Sequence, residues 1–163
     1  MNRLEIGCRG RRAGWTTVDC EGSPTIKAPI SPLPDQLRDT QWDVIQLIHV
    51  FEHFYLWEAK QFLKDAFDIL APGGGLIMEM PNIDYVARAF LGQIEGVGGQ
   101  RNHGLWAMYG DPSKSDPAYG HKWGWTPRSL TAEMGAVGFE NIRIEEAKSH
   151  IPVRDFRIVG TKV

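Results

Sequence analysis

Near the start of the chain, two short stretches carry residue types that could hold a hydroxylated ligand. Leu4-Glu5-Ile6-Gly7-Cys8-Arg9-Gly10 reads as an apolar strand running into a glycine turn. Gly14-Trp15-Thr16-Thr17-Val18-Asp19 reads as a second strand ending in a carboxylate. Glycine in the turn lets backbone N–H groups approach a ligand that a side chain would shield. An Asp at the end of the next strand can accept both hydroxyls of a ribose. Together they imply an adenosine-containing ligand at the carboxyl edge of a parallel sheet. Gly7 and Asp19 are twelve positions apart, whereas the dinucleotide fingerprint places its acid about 20 residues beyond its glycines. The third glycine of that fingerprint is also missing, so nicotinamide binding is disfavoured. A strand–turn–strand with a solvated Asp is the plainer alternative.

The histidines are the second group able to do chemistry. His49-Val50-Phe51-Glu52-His53 spells H-x-x-E-H, the signature of one class of zinc hydrolases. That chemistry needs both histidines on one helical face. His49 falls at the end of an apolar strand, so a strand-to-helix junction is the preferred reading, no metal is expected, and Glu52 is expected to cap the following helix. A third set lies downstream: His103, Trp106, Tyr109, Tyr119, His121, Trp123 and Trp125. These suit a lid that shapes an acceptor pocket and excludes water, or an aromatic cluster at an oligomer contact, compatible with a homodimer. His121, with His53, is the candidate for proton transfer, because imidazole titrates near neutral pH. Asn82, Tyr119 and Trp123 are candidate substrate contacts. Cys8, followed by basic residues, has no histidine partner in sequence and is not expected to be a nucleophile.

These residues need elements to position them. Residues 3–7 and 15–19 read as strands, Thr25 to Ala28 as a short edge strand, and Trp42 to Ile48 as a central strand apolar on both faces. Leu56, Ala59, Leu63, Ala66, Phe67 and Leu70 recur at helical spacing, so a helix is expected from Tyr55 to Leu70, stopped by Ala71-Pro72-Gly73-Gly74-Gly75. Leu76 to Met80 is the next strand, and residues 83–94 suggest another helix. Gln100 to Trp125 reads as a long loop, a length that in a compact domain signals function or disorder. Thr126-Pro127 opens a helix that Gly138 closes, and residues 141–144 and 156–159 read as closing antiparallel strands. The alternation predicts an α/β, Rossmann-like, mostly parallel sheet with an antiparallel C-terminal strand. Cys8 to Gly14 is too short for an ordinary crossover, so the first crossover helix must be shortened or absent.

Composition narrows the partners. The 163 residues fit one domain, 1–163, with 96–125 as a lid or substrate loop. Eighteen basic against twenty acidic residues give a net charge of −2, which predicts neither nucleic-acid nor membrane attraction. No run approaches the ~20 apolar residues of a membrane span, and no signal-peptide core follows Met1. Two cysteines make no disulfide framework, so a cytoplasmic location is expected.

With these residues assembled, the chain resembles a small class I S-adenosylmethionine-dependent methyltransferase of type 11. Leu4 to Asp19 resembles that family's glycine turn and strand-ending Asp. Trp42-Asp43-Val44-Ile45 through His49 to Phe54 is similar to its "FDxI…HVLEH", and Leu70 to Ile77 leading to Pro81-Asn82 to its "LKPGGxL…PN". The order of the three matches, as does the later Trp125-Thr126-Pro127 helix ending in Gly138-Phe139. The resemblance implies S-adenosylmethionine as cofactor, contacted by Glu5, Gly7, Cys8, Arg9, Asp19, Cys20, Ile48 and His49, and methyl transfer to a small-molecule hydroxyl, amine or carbon. Two departures stand out: Arg9 occupies a usual glycine position, and no acid follows the third strand to hold an adenine. They leave, as the alternative, a catalytically degenerate binding or interaction module.

Overall fold

The computed structural model describes residues 1–96 and 101–163, with side chains throughout except at 101–104. Its seven strands form one sheet: β1 (Arg3–Ile6), β2 (Thr16–Asp19), β3 (Ile26–Lys27), β4 (Trp42–Ile48), β5 (Leu70–Pro81), β6 (Glu140–Glu146) and β7 (Asp155–Thr161). The order across it is β3-β2-β1-β4-β5-β7-β6. The first five strands run parallel, and β7 lies antiparallel between β5 and β6. The fold is thus the expected Rossmann-like α/β sheet. Residues 7–15, between parallel β1 and β2, contain no helix, as their length requires.

One face of the sheet supplies the core. Leu4, Ile6, Val18, Ile45, Leu47, Leu76, Met78, Met80 and Ile158 are fully buried there. Against them pack α1 (Leu56–Ile69), through Ala59, Phe62, Leu63 and Ala66, and α4 (Pro127–Val137), through Leu130 and Met134. Between α1 and α4 in the chain lie α2 (Ile83–Phe90) and α3 (Arg101–Tyr109). The α4 ends match their sequence signals: the Thr126 hydroxyl accepts from the Ser129 N–H at 3.0 Å, and Gly138 takes the left-handed conformation.

The opposite face corrects the expectation for β4. Register aligns Glu5, Gln46, Ile77 and Val159 across four strands, and Ile48, Glu79, Arg157 and Glu145 in the next row. Gln46 Nε2 donates to Glu5 Oε1 at 3.0 Å, Arg12 donates to Glu5 Oε2 at 3.0 Å, and Arg157 donates to Glu79 Oε2 at 3.3 Å. Half-buried Trp15 lies beneath the Arg12 guanidinium, 4.6 Å from its ring centroid. Polar groups on this face find partners on neighbouring strands (Glu5 with Gln46, Glu79 with Arg157) or in connections (Arg12), so β4 is apolar on one side only.

The end of α1 also differs from expectation. No glycine cap closes it: Leu70 passes directly into extended backbone, and β5 includes the Pro72 to Gly75 stretch. Lys162 Nζ instead donates to the carbonyls of Phe67 (2.7 Å), Asp68 (3.2 Å) and Leu70 (2.8 Å). A cation at the negative end of the helix satisfies carbonyls that the helix itself leaves free.

Candidate active site

The carboxyl ends of β1, β2 and β4 open on a cavity of about 390 Å³, a size ordinary for small-molecule sites. At the end of β1 the chain turns at Gly7, whose φ is +78°. A Cβ there would lie 2.2 Å from Val50 Cγ2, so the β1 turn and the segment after β4 approach as only glycine permits. The Gly7 N–H donates to Val18 O at 2.8 Å, which joins the turn to β2. Asp19, last residue of β2, faces the same cavity, with Oδ1 accepting from the Glu21 N–H at 2.8 Å.

Arg9 crosses the mouth of this cavity. Its Nη2 lies 3.2 Å from Glu21 Oε2 and donates to the Tyr119 hydroxyl at 2.6 Å; that hydroxyl donates in turn to Glu21 at 2.9 Å. The guanidinium also covers the Tyr119 ring, 5.0 Å from its centroid. The partners of Arg9 are thus protein groups from two other segments. Glu21 and Gly22 have no sequence motif that singles them out. A Cβ on Gly22 would meet Arg9 O at 2.1 Å, so this glycine admits the Arg9 backbone.

The inner wall is built around His49, held at φ +54° at the end of β4. His49 Nδ1 lies 3.2 Å from Glu52 Oε1, and Nε2 lies 3.2 Å from Asp155 Oδ2, near enough for an ion pair though poorly angled for a hydrogen bond. Burial would lower the His49 pKa, but the contacts with Asp155 and Glu52 overcome it and raise it to about 9. Burial likewise pushes both carboxyls up, and in each the contact with His49 outweighs it and holds the group below its usual range. Arg154 adds two contacts to Asp155, at 2.6 and 3.0 Å. Glu52 is therefore half of a buried ion pair, not the cap of α1. That cap is Glu58, whose Oε2 accepts from the Tyr55 N–H at 2.9 Å.

The stretch expected to be a long loop holds α3 and a 3-10 turn at Pro117–Tyr119. Beyond Tyr119 it docks on the 3-10 turn Phe51–His53: the Lys122 and Trp123 N–H groups both donate to Glu52 O, at 2.8 and 3.3 Å. Trp125 is buried against Phe51, ring centroids 5.3 Å apart. This brings His121 to His53, rings edge to face at 4.9 Å. The His103 side chain lies outside those described.

Of the anticipated contacts, Gly7, Arg9, Asp19, Cys20, His49, His53 and Tyr119 line the cavity. Six do not. Glu5 is committed to Arg12 and Gln46, Ile48 belongs to the polar face of the sheet, and the Cys8 thiol donates to Gly10 O at 3.3 Å. Asn82 Oδ1 accepts from the Asp84 N–H at 3.1 Å as the N-cap of α2. His121 stands behind His53, and half-exposed Trp123 flanks Trp125. His49 and His53 also fail the zinc-hydrolase pattern, since a strand end and a 3-10 turn replace one helical face. Glu21, Ile30, Val50, Phe54 and Glu58 are lining residues that motif reading missed.

The family model described as a methyltransferase domain matches residues 2–144. The chain belongs to that family. A search of curated protein sequences found no match. The fold resembles a SAM-dependent methyltransferase from Archaeoglobus fulgidus (TM-score 0.65, 18% identity, 99% of this chain and 86% of that one). It also resembles a Thermotoga maritima protein described as a SAM-dependent methyltransferase and possible histamine N-methyltransferase (TM-score 0.64, 19% identity, 99% and 82%). Human N-acetylserotonin methyltransferase in complex with SAM is a more distant likeness (TM-score 0.57, 12% identity), and this chain spans 39% of its length. Family and fold together make the chain a methyltransferase-domain enzyme with the fold of these S-adenosylmethionine-dependent proteins. Among the described residues no helix is long and apolar enough to cross a membrane.

Proposed function

We propose that the cavity binds S-adenosylmethionine and that the chain transfers its methyl group to a small-molecule hydroxyl, amine or carbon acceptor. The observation that carries this reading is the convergence of the Gly7 turn and the Asp19 carboxylate on one cavity at the carboxyl edge of the sheet. When bound, the cofactor supplies an electrophilic methyl on a sulfonium, which needs no base to leave. The residues therefore have to position and to exclude water. Asp19 accepts the ribose hydroxyls, the Gly7 turn admits the chain of the cofactor against backbone, and the Arg9–Tyr119–Glu21 cluster stands at the mouth. Positioning of donor and acceptor accounts for much of the rate in such a transfer. Ala118 and Tyr119 supply the acceptor-side wall, and Lys122 and Trp123 pin the chain beyond them to Glu52 O.

Calorimetric titration with S-adenosylmethionine and S-adenosylhomocysteine tests the reading. Micromolar or tighter binding, lost in a folded Asp19→Ala variant, is the expected result. Absence of binding to the folded wild-type protein would favour the degenerate interaction module instead.

A further inference from the structure

Behind the cavity wall, Glu52, His53 and His121 come together so that one ligand atom from each lies within 4.8 Å of the others. Both histidines have their Nδ1 occupied by a backbone carbonyl: His53 with Gly120 O at 3.2 Å, His121 with Ala107 O at 2.8 Å. A carbonyl can only accept, so each Nδ1 carries the proton and each Nε2 keeps its lone pair. Metal-binding histidines are oriented by this same outer contact. Glu52 is 3% exposed, and while Oε1 is taken by His49, its Oε2 is buried with no hydrogen-bond partner. A carboxylate oxygen left bare in the interior is costly unless something positive meets it.

From this geometry we infer that Glu52 Oε2, His53 Nε2 and His121 Nε2 form a binding site for a divalent transition-metal ion, zinc by its ligand chemistry. Two imidazoles and one carboxylate are a zinc donor set, with bonds of about 2.0–2.2 Å and a coordination position left for water or a substrate oxygen. Tetrahedral bonding at those lengths brings the three donor atoms to roughly 3.4 Å apart, so the ligands draw in by about an ångström around the ion. His53 belongs to the cavity wall as well, which sets the ion at the edge of the proposed cofactor site. The ion also ties the Phe51–His53 turn to the segment carrying His121, adding to the backbone contacts at Glu52 O. The ligand set is not the one the H-x-x-E-H spacing suggests. His49 is the ion-pair partner of Glu52 and Asp155, and its place is taken by a residue far along the chain.

The test is titration of chelator-treated full-length protein with Zn²⁺ by calorimetry and with Co²⁺ by visible absorption, requiring no methyl donor. One ion per chain is expected, with Co²⁺ bands of low-coordinate nitrogen–oxygen ligation and a rise in melting temperature on adding Zn²⁺. Glu52→Gln and His121→Asn should each weaken binding by at least the about 10–100-fold that loss of an outer-shell contact costs at metal sites, while His150→Asn leaves it unchanged. If either variant fails to fold, the Co²⁺ spectrum of the wild type decides alone. No saturable binding, an intense thiolate charge-transfer band from Cys8 or Cys20, or full affinity in folded Glu52→Gln overturns the site. Asp19→Ala should keep the metal, so loss of cofactor binding and loss of the metal site are read separately.

Discussion

Replacing His49 by Gln removes the charge between two buried carboxylates while keeping a side chain of similar length. In the folded protein the His49 pKa lies at about 9 against an ordinary 6.5. That difference corresponds to roughly 3 kcal/mol of linkage between protonation and folding. The folded pKa is the raised one, so this stability is fully present below pH 6.5 and is lost as the pH rises through about 9. The side chain is 13% exposed and its partners Glu52 and Asp155 are 4% and 0% exposed, so solvent screens the interaction little. Removing one member of a buried pair also leaves its partners uncompensated, which costs about 3–5 kcal/mol. Urea unfolding of wild type and His49→Gln at pH 6, 7.5 and 10 separates these contributions. Wild type should lose about 3 kcal/mol between pH 6 and 10, and the variant should be weaker at pH 6 by a similar amount, with the gap narrowing at pH 10. A wild-type stability flat from pH 6 to 10, or a variant with the same slope, would refute the ion-pair account.

Gly7→Ala should destabilise the fold by about 2 kcal/mol or more, because it combines a positive φ with a Cβ driven into Val50; thermal melting measures it, and calorimetry should show S-adenosylmethionine binding lost. Glu21→Gln releases Arg9 from an exposed ion pair, so stability should change by less than about 1 kcal/mol. The affinity for S-adenosylmethionine, whose carboxylate the freed guanidinium can meet, should rise up to about fivefold in the same calorimetry.

The parts of the cavity that lie on strand ends are legible in the sequence. Asp19 and Gly7 follow from an apolar run meeting a carboxylate or a glycine, a local pattern that survives folding because each strand's end is fixed by its own residues. The helices α1 and α4 were legible for the same reason, through the spacing of Leu63 and Ala66 or of Leu130 and Met134. What escaped is contact between distant segments. Nothing near Glu52 announces that its carboxylate approaches His121, 69 positions downstream. Lys162 capping α1 is invisible for the same reason, and the glycines at 73–75 suggested a local stop in its place. Asn82 shows the opposite error: its position at a strand end suggested a ligand contact, but an Asn before a helix finds the nearest free N–H first. The polar face of β4 was misread because Gln46 in an otherwise apolar strand has its partner, Glu5, on another strand.

The missing helix between β1 and β2 has a consequence for ligand charge. In a crossover of usual length the first turn of that helix would present unpaired N–H groups to an anion. Residues 7–15 offer instead three guanidinium groups, Arg9, Arg11 and Arg12. Arg12 is spent on Glu5 and the Trp15 ring, which leaves Arg9 as the one at the cavity. A helix terminus is a fixed, half-strength charge, whereas Arg9 is a full charge on a flexible stem that must leave Glu21 and Tyr119 to reach a ligand. Exchange of one exposed partner for another costs little. The arginine that departs from the usual glycine can therefore take over the helix terminus's role.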